Sequence, residues 1–188
     1  MKKSWIILIA VIAVVGILIG SFVGTYNGLV ELEANVEGKQ AEIQTQLQRR
    51  ADLIPNFVAT VKGYSDYEQS TLQAVTEARA AVAAADTPEE QAGASAQLDS
   101  AIDIWVNAVT EAYPDLKANT QYIALQDELA GTENRIATAR RDYNEAVTDY
   151  NKSIRKFPRS LLAGMFGFER AELFEADDDA QHVPEVSF

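Results

Sequence analysis

Hydrophobic and polar residues are arranged along this chain in two different ways. From Trp5 to Gly24 the sequence WIILIAVIAVVGILIGSFVG is apolar on every side and carries no charge. A helix of that length rises about 30 Å, the thickness of a bilayer core. The run therefore predicts a transmembrane helix over 5–24. A cleaved signal peptide is the rival reading, but its apolar region would be shorter, and the exit GSFVGTYN is a poor small-x-small cleavage site. Beyond this run, apolar residues recur every three or four positions, as in helices with one buried stripe. The first stripe is Leu29, Leu32, Val36, Ile43, Leu47, Ile54, Val58 and Val61. The second is Leu72, Val75, Ala78 and Val82. The third is Leu98, Ile102, Trp105, Val109 and Ala112. The last runs from Tyr122 through Leu125, Leu129, Ile136, Tyr143, Val147, Tyr150 and Ile154 to Phe157.

The punctuation divides these stripes into helices over about 26–62, 66–85, 88–112 and 119–156. Gly63 is a stop, with Ser65 or Asp66 able to cap the second helix; the competing reading is one continuous rod through Gly63. In DTPEE, Thr87 is an N-cap, Pro88 the first helical residue and Glu90 the partner that closes a capping box. Pro114 ends the third helix at Tyr113. Asn119 or Thr120 caps the fourth, and Pro158 ends it.

These elements predict an all-α protein. An N-terminal transmembrane helix is followed by an antiparallel up-down four-helix bundle with long first and last helices. The expected organisation is a short N-terminus over 1–4, the span over 5–24, a helical bundle over 26–158 and a partly packed, acidic tail over 159–188. Lys2 and Lys3 precede the span, and the first charges after it are Glu31 and Glu33. Positive-inside bias puts the N-terminus in the cytoplasm and the bundle outside.

A net charge of −12 makes nucleic acid an unsuitable partner. The absence of cysteine rules out thiol chemistry and disulfides. His182 is the single histidine, which leaves no multi-histidine metal site. The acidic run Asp177, Asp178, Asp179 reads as solvated. There is no G-x-S-x-G, P-loop or HExxH pattern. No catalytic residue, cofactor or metal is expected.

The stretch LQRRADLIPNF interrupts the pattern. It sets Arg50 on the same stripe as Ile43, Leu47, Ile54 and Val61. If the first and last helices lie antiparallel, facing residue numbers add to about 180, and Arg50 meets Glu128 and Glu133. A buried arginine needs a carboxylate. The expected feature is a structural polar layer. It uses Arg49, Arg50, Asp52, Pro55 and Asn56 on the first helix with Glu133, Asn134 and Arg135 on the last. Pro55 is expected to kink the helix. The functional alternative is a site for a ligand carboxylate. Tyr113, Pro114 and Asp115, at the far turn, are candidate partner contacts. The dipeptide Tyr-Asn occurs at residues 26, 143 and 150, each with an aliphatic residue four places after the tyrosine. These asparagines read as register-setting polar groups at a helix seam, with interfacial anchoring by Tyr26 as the second reading. The tail SLLAGMFGFERAELF is too apolar for a plain linker. It is expected to cover the base of the bundle or to dip into the membrane interface beside Arg155, Lys156 and Arg159.

Taken together, YNGLVELEANV, QLQRRADLIPNFVATVKGY, AYPDLKANTQY, LQDELAGTENRIATARRDYNEAV, YNKSIRKFP, GFERAELFEA and PEVSF resemble the LemA family over Tyr26 to Phe188. The resemblance implies an N-terminally anchored bacterial membrane protein with an antiparallel helical bundle and no established enzymatic activity. Family descriptions with the short N-terminus outside run against the flanking lysines, which favour the N-terminus inside. The expected role is a non-enzymatic interaction or scaffold protein of the cell envelope. It would be held in the bilayer through 5–24 and act with an envelope protein partner. An accessory subunit or enzyme with a polar cleft near Arg50 and Glu133 is the alternative. A homo-oligomer through Gly16 and Gly20, a G-x-x-x-G on one face of the span, is a third reading.

Overall fold

The structure, a computed structural model, describes residues 2–62 and 69–174. Among these residues every regular element is helical: α1 (Lys2–Lys62), α2 (Gln69–Ala84), α3 (Pro88–Ala112), a 3-10 turn (Pro114–Ala118), α4 (Thr120–Arg155) and α5 (Arg159–Phe166). Gly63, Ser65 and Asp66 lie outside the described residues, as do Asp177, Asp178, Asp179, His182 and the closing PEVSF.

One expected boundary is absent. The apolar span and the first amphipathic helix are a single helix, with no break near residue 25. The sequence there contains no proline. Gly24 and Gly28 each weaken a helix by only about 1 kcal/mol, which flanking helix already nucleated on both sides outweighs. Pro55 likewise sits inside α1, exposed, and the helix continues past it to Lys62.

The chain divides into two compact units, Met1–Gly38 with Glu145–Ala171, and Lys39–Asn144 with Glu172–Phe188. In the first unit, residues 4–24 of α1 are exposed on all sides. This part of the helix is long and apolar enough to cross a membrane, with a mean hydropathy of 3.1 over an 18-residue window. Burial begins at Thr25, and Leu29 and Val36 are core residues, as are Val147, Tyr150 and Ile154 of α4. The two segments run antiparallel. The Tyr150 hydroxyl donates to Glu33 Oε1 at 3.4 Å, and Arg159, just beyond α4, lies over Gly28, where a Cβ would sit 3.7 Å from its guanidinium.

In the second unit, Ile43, Leu47, Ile54, Phe57 and Val61 of α1 are buried, as are Val75 and Val82 of α2. Leu98, Ile102, Trp105 and Val109 of α3 and Tyr122, Leu129, Ile136 and Tyr143 of α4 complete the core. The expected stripes thus face inward at most positions, but Ala112 and Phe157 do not. Phe157 is 81% exposed. α4 stops at Arg155, so Phe157 leaves the helical register that would have turned it inward. α2 packs on α3 across a short connection fixed by a capping box. Thr87 Oγ1 accepts from Glu90 N at 3.2 Å, and Glu90 Oε2 accepts from Thr87 N at 3.1 Å. At the start of α4 the cap is Asn119, whose Oδ1 accepts from Gln121 N and Tyr122 N. Leu116, fully buried, pins the 3-10 turn between α3 and α4.

Candidate functional site

Within the second unit, helical periodicity places Arg50 one turn from Leu47 and one from Ile54, so the core stripe of α1 carries a guanidinium. It is 6% exposed. Burying an arginine there requires anions, and two converge on it from different helices. Arg50 Nη1 donates to Glu133 Oε2 of α4. Arg50 Nη2 lies 2.5 Å from Asp99 Oδ1 of α3. The guanidinium therefore ties α1, α3 and α4 together at one level. About two turns along α1, Phe57 joins the same three helices. Its ring stacks on Tyr122 at 5.3 Å and meets Trp105 edge-on at 5.2 Å.

Asp99 is the member of this layer that the sequence pattern did not bring forward. Facing numbers relate α1 to α4 but say nothing of how α3 is set against them. The available signal was that α3 carries Asp99 next to its stripe residue Leu98. Burial pushes the Asp99 carboxyl up to about 6. Arg50 opposes the shift, and Glu133 adds to it.

A cavity of about 580 Å³ opens beside the layer, lined by Arg50, Phe57, Asp99, Asp103, Asp127 and Glu133 among others. Arg50 Nε at its wall is buried with no hydrogen-bond partner among the described residues. Four carboxylates around one guanidinium make the cleft acidic. Asp99 gives it one group able to exchange a proton near pH 6. Among the described residues, no three His, Cys, Asp or Glu side chains converge as a metal site.

The other residues singled out from the sequence are arranged differently. Arg49 is exposed and pairs with Glu128 at 2.5 Å, and Arg135 approaches the same carboxylate at 3.6 Å. Such surface pairs contribute little. Asp52, Asn56 and Asn134 are exposed and do not join Arg50. Asp52 accepts instead from Gln48 at 2.8 Å. The main-chain oxygens of Asn56 and Asn134 accept from Thr60 and Thr138. Tyr113 is half-buried; Pro114 and Asp115 are exposed at the 3-10 turn.

The Tyr-Asn dipeptides of α4 do something the sequence did not suggest. In the second unit, Asn144 Nδ2 donates to Phe174 O at 2.9 Å, and its Oδ1 accepts from Phe174 N at 2.9 Å. The Tyr143 hydroxyl donates to Glu172 O at 2.9 Å, and the Phe174 ring rests edge-on against Tyr143 at 5.2 Å. In the first unit, Asn151 makes the same two-bond clasp with Ala171, at 2.8 and 3.0 Å. An asparagine side chain carries both a donor and an acceptor, so it mimics a neighbouring strand and satisfies an extended backbone residue completely. The asparagines therefore grip the tail. Tyr26 meets Phe166 and Phe168, at 4.8 and 5.8 Å.

A family model for the LemA family matches residues 39–188, which hold the Arg50 layer and both clasps. The chain belongs to the LemA family. The match begins after YNGLVELEANV, so LemA-family membership rests on the helical domain and not on the apolar span. Among LemA-like relatives, a protein named LemA from Metamycoplasma hominis is 26% identical over 180 residues, covering 94% of this chain and 80% of the relative. Magnetosome protein MamQ 2 of Paramagnetospirillum magneticum is 26% identical over 202 residues, covering 90% of this chain and 71% of the relative. Neither name assigns a reaction.

The layer and the clasps each make a measurable difference to the folded chain. Between its ordinary value of 3.8 and about 6, Asp99 holds a proton in the folded protein that the unfolded chain has lost. Its stabilising contribution is therefore full in acid and disappears as pH rises through 6. Urea unfolding of wild type and Asp99→Asn from pH 4 to 7 should show wild type gaining on the variant as pH falls. For the clasps, Asn144→Asp replaces the Nδ2 donor with an oxygen facing the Phe174 carbonyl. Hydrogen exchange should show the Phe174 amide losing more protection in Asn144→Ala, which removes its Oδ1 acceptor, than in Asn144→Asp, with the Ala171 amide unchanged.

Proposed function

We propose that this chain is a single-span, membrane-anchored LemA-family protein with a non-enzymatic interaction or scaffold role in the bacterial cell envelope. The observation that carries the anchor is the exposure of residues 4–24. Every residue from 4 to 24 is exposed, while the same helix enters a packed core from Leu29 onward. Twenty exposed apolar residues are costly in water and favourable in lipid. The helices beyond the span close as an antiparallel up-down four-helix bundle with long first and last members. Lys2 and Lys3 set the N-terminus in the cytoplasm and the bundle outside.

The scaffold role is supported by the way Arg50 is used. Both of its terminal nitrogens are engaged by carboxylates from two other helices, which accounts for a buried charge by helix register alone. Contact with an envelope partner falls to Tyr113, Pro114 and Asp115. A Cβ at Gly16 or Gly20 would meet nothing within 4 Å, so that face of the span is open to a second copy. The other reading, an accessory subunit or enzyme with an inter-helix cleft, is favoured by the cavity beside Arg50 and by Asp99 titrating near 6.

The test uses the intact protein in its own membrane. A photocrosslinking side chain at Tyr113 should capture a defined envelope protein, and Asp115→Ala should weaken that capture. Since the chain has no cysteine, Asp115→Cys should react with an impermeant maleimide in intact cells. Capture unaffected by Asp115→Ala contradicts the assigned contact, and labelling only after lysis contradicts the orientation.

A further inference from the structure

The end of α4 and the short helix α5 carry an apolar surface that nothing among the described residues covers. Phe157 is 81% exposed, Leu161 60% and Met165 71%. Leu161 and Met165 are one turn apart and share a face of α5, while Leu162 and Ala163 on the other side are buried. The chain then turns sharply at Gly167, whose φ of 76° is the left-handed conformation glycine adopts freely. Phe168 N closes that turn on Ala163 O at 3.0 Å. The tail returns along α4 to the Asn151 clasp. α5 is thus held firmly, with its apolar face turned outward.

Its level along α1 is fixed by ring contacts. Phe166 lies 5.9 Å from Phe22 and 4.8 Å from Tyr26. Phe22 belongs to the exposed apolar run, and Tyr26 stands where burial begins. The two are about 6 Å apart along the helix axis. α5 therefore packs at the point where α1 changes from exposed on all sides to one-sided. Three cations border the patch. Arg155 and Lys156 are exposed, and Arg159 donates to Ser153 Oγ at 2.5 Å. A run of cations is unusual in a chain of net charge −12.

We propose that Phe157 and α5 form an interfacial foot that lies in the headgroup–acyl boundary of the membrane crossed by α1. The proposal rests on the anchor reading above. An amphipathic segment of this kind buries its apolar face in the outer acyl region and keeps its cations among lipid phosphates. Two observations select lipid as the occupant. The patch is continuous through Phe166 and Phe22 with the apolar span, and its rim is basic. The foot also gives the Asn151 clasp a purpose, because it holds α5 at a fixed height and tilt against α1.

The absence of cysteine allows a direct test. Single variants Ile12→Cys, Met165→Cys and Asp115→Cys of the full chain carry an environment-sensitive fluorophore in vesicles of zwitterionic and anionic phospholipid. Quenching is read with spin-labelled lipids, shallow or deep, and with aqueous iodide. Ile12 should be quenched most by the deep lipid. Met165 should be quenched by the shallow lipid, with iodide quenching several-fold below that at Asp115. Met165 open to iodide, with Ile12 quenched by the deep lipid, overturns the foot and leaves the anchor standing. Met165 shielded from both iodide and lipid also overturns it, since protein would then cover the patch. Ile12 open to iodide removes the anchor and the foot together. Because Met165 is largely exposed, its substitution leaves the fold intact, and unchanged circular dichroism checks this.

Discussion

A guanidinium in the core stripe of a helix sets the terms for everything packed around it. Arg50 cannot be left unpaired at 6% exposure, because an uncompensated buried charge costs several kcal/mol. Its two carboxylates come from α3 and α4, so satisfying one side chain places three helices at once. A slip of α4 by one turn would move Glu133 by about 5.4 Å and strand the charge. Apolar packing alone is more permissive, since a leucine stripe slid by one turn meets another leucine. The layer supplies the register, and the Phe57, Trp105 and Tyr122 cluster next to it supplies apolar burial among the same helices.

The arrangement is not closed. Asp99 and Glu133 both bear on Arg50, and a cavity opens beside them. Burial is what lifts Asp99, Arg50 pulls it back, and the neighbouring Glu133 offsets part of that pull. Tyr150 shows related physics in the first unit. Burial and the neighbouring Glu33 push its phenol up to about 12, and its hydroxyl donates to that carboxylate. Both units thus place a polar contact between α1 and α4 inside otherwise apolar stripes.

Much of the helical organisation was legible in the sequence because it depends on local chemistry. The stripes, the Thr87 capping box and the stop before Pro158 are all written within a few residues. Arg50 and Glu133 could be brought together because two long antiparallel helices obey a simple numerical register. What stayed hidden depends on contacts between distant segments. Asp99 sits on a helix whose height no turn length fixes. Asn144 and Asn151, one heptad apart, look like seam residues, and only the return of the tail makes them clasps. The continuity of α1 was hidden for another reason. A change of solvent along a chain resembles a domain boundary, though the backbone has no cause to break there.

The most direct test of the register claim is a mutant cycle on the charge layer, read by urea unfolding of the full chain in detergent at neutral pH. Arg50→Met alone should lose about 3 kcal/mol, the low end for a broken buried pair because Glu133 is partly solvated. Adding Asp99→Asn and Glu133→Gln to that variant should recover most of the loss. An Arg50→Met protein within about 0.5 kcal/mol of wild type, or losses that simply add across the three sites, would contradict the account.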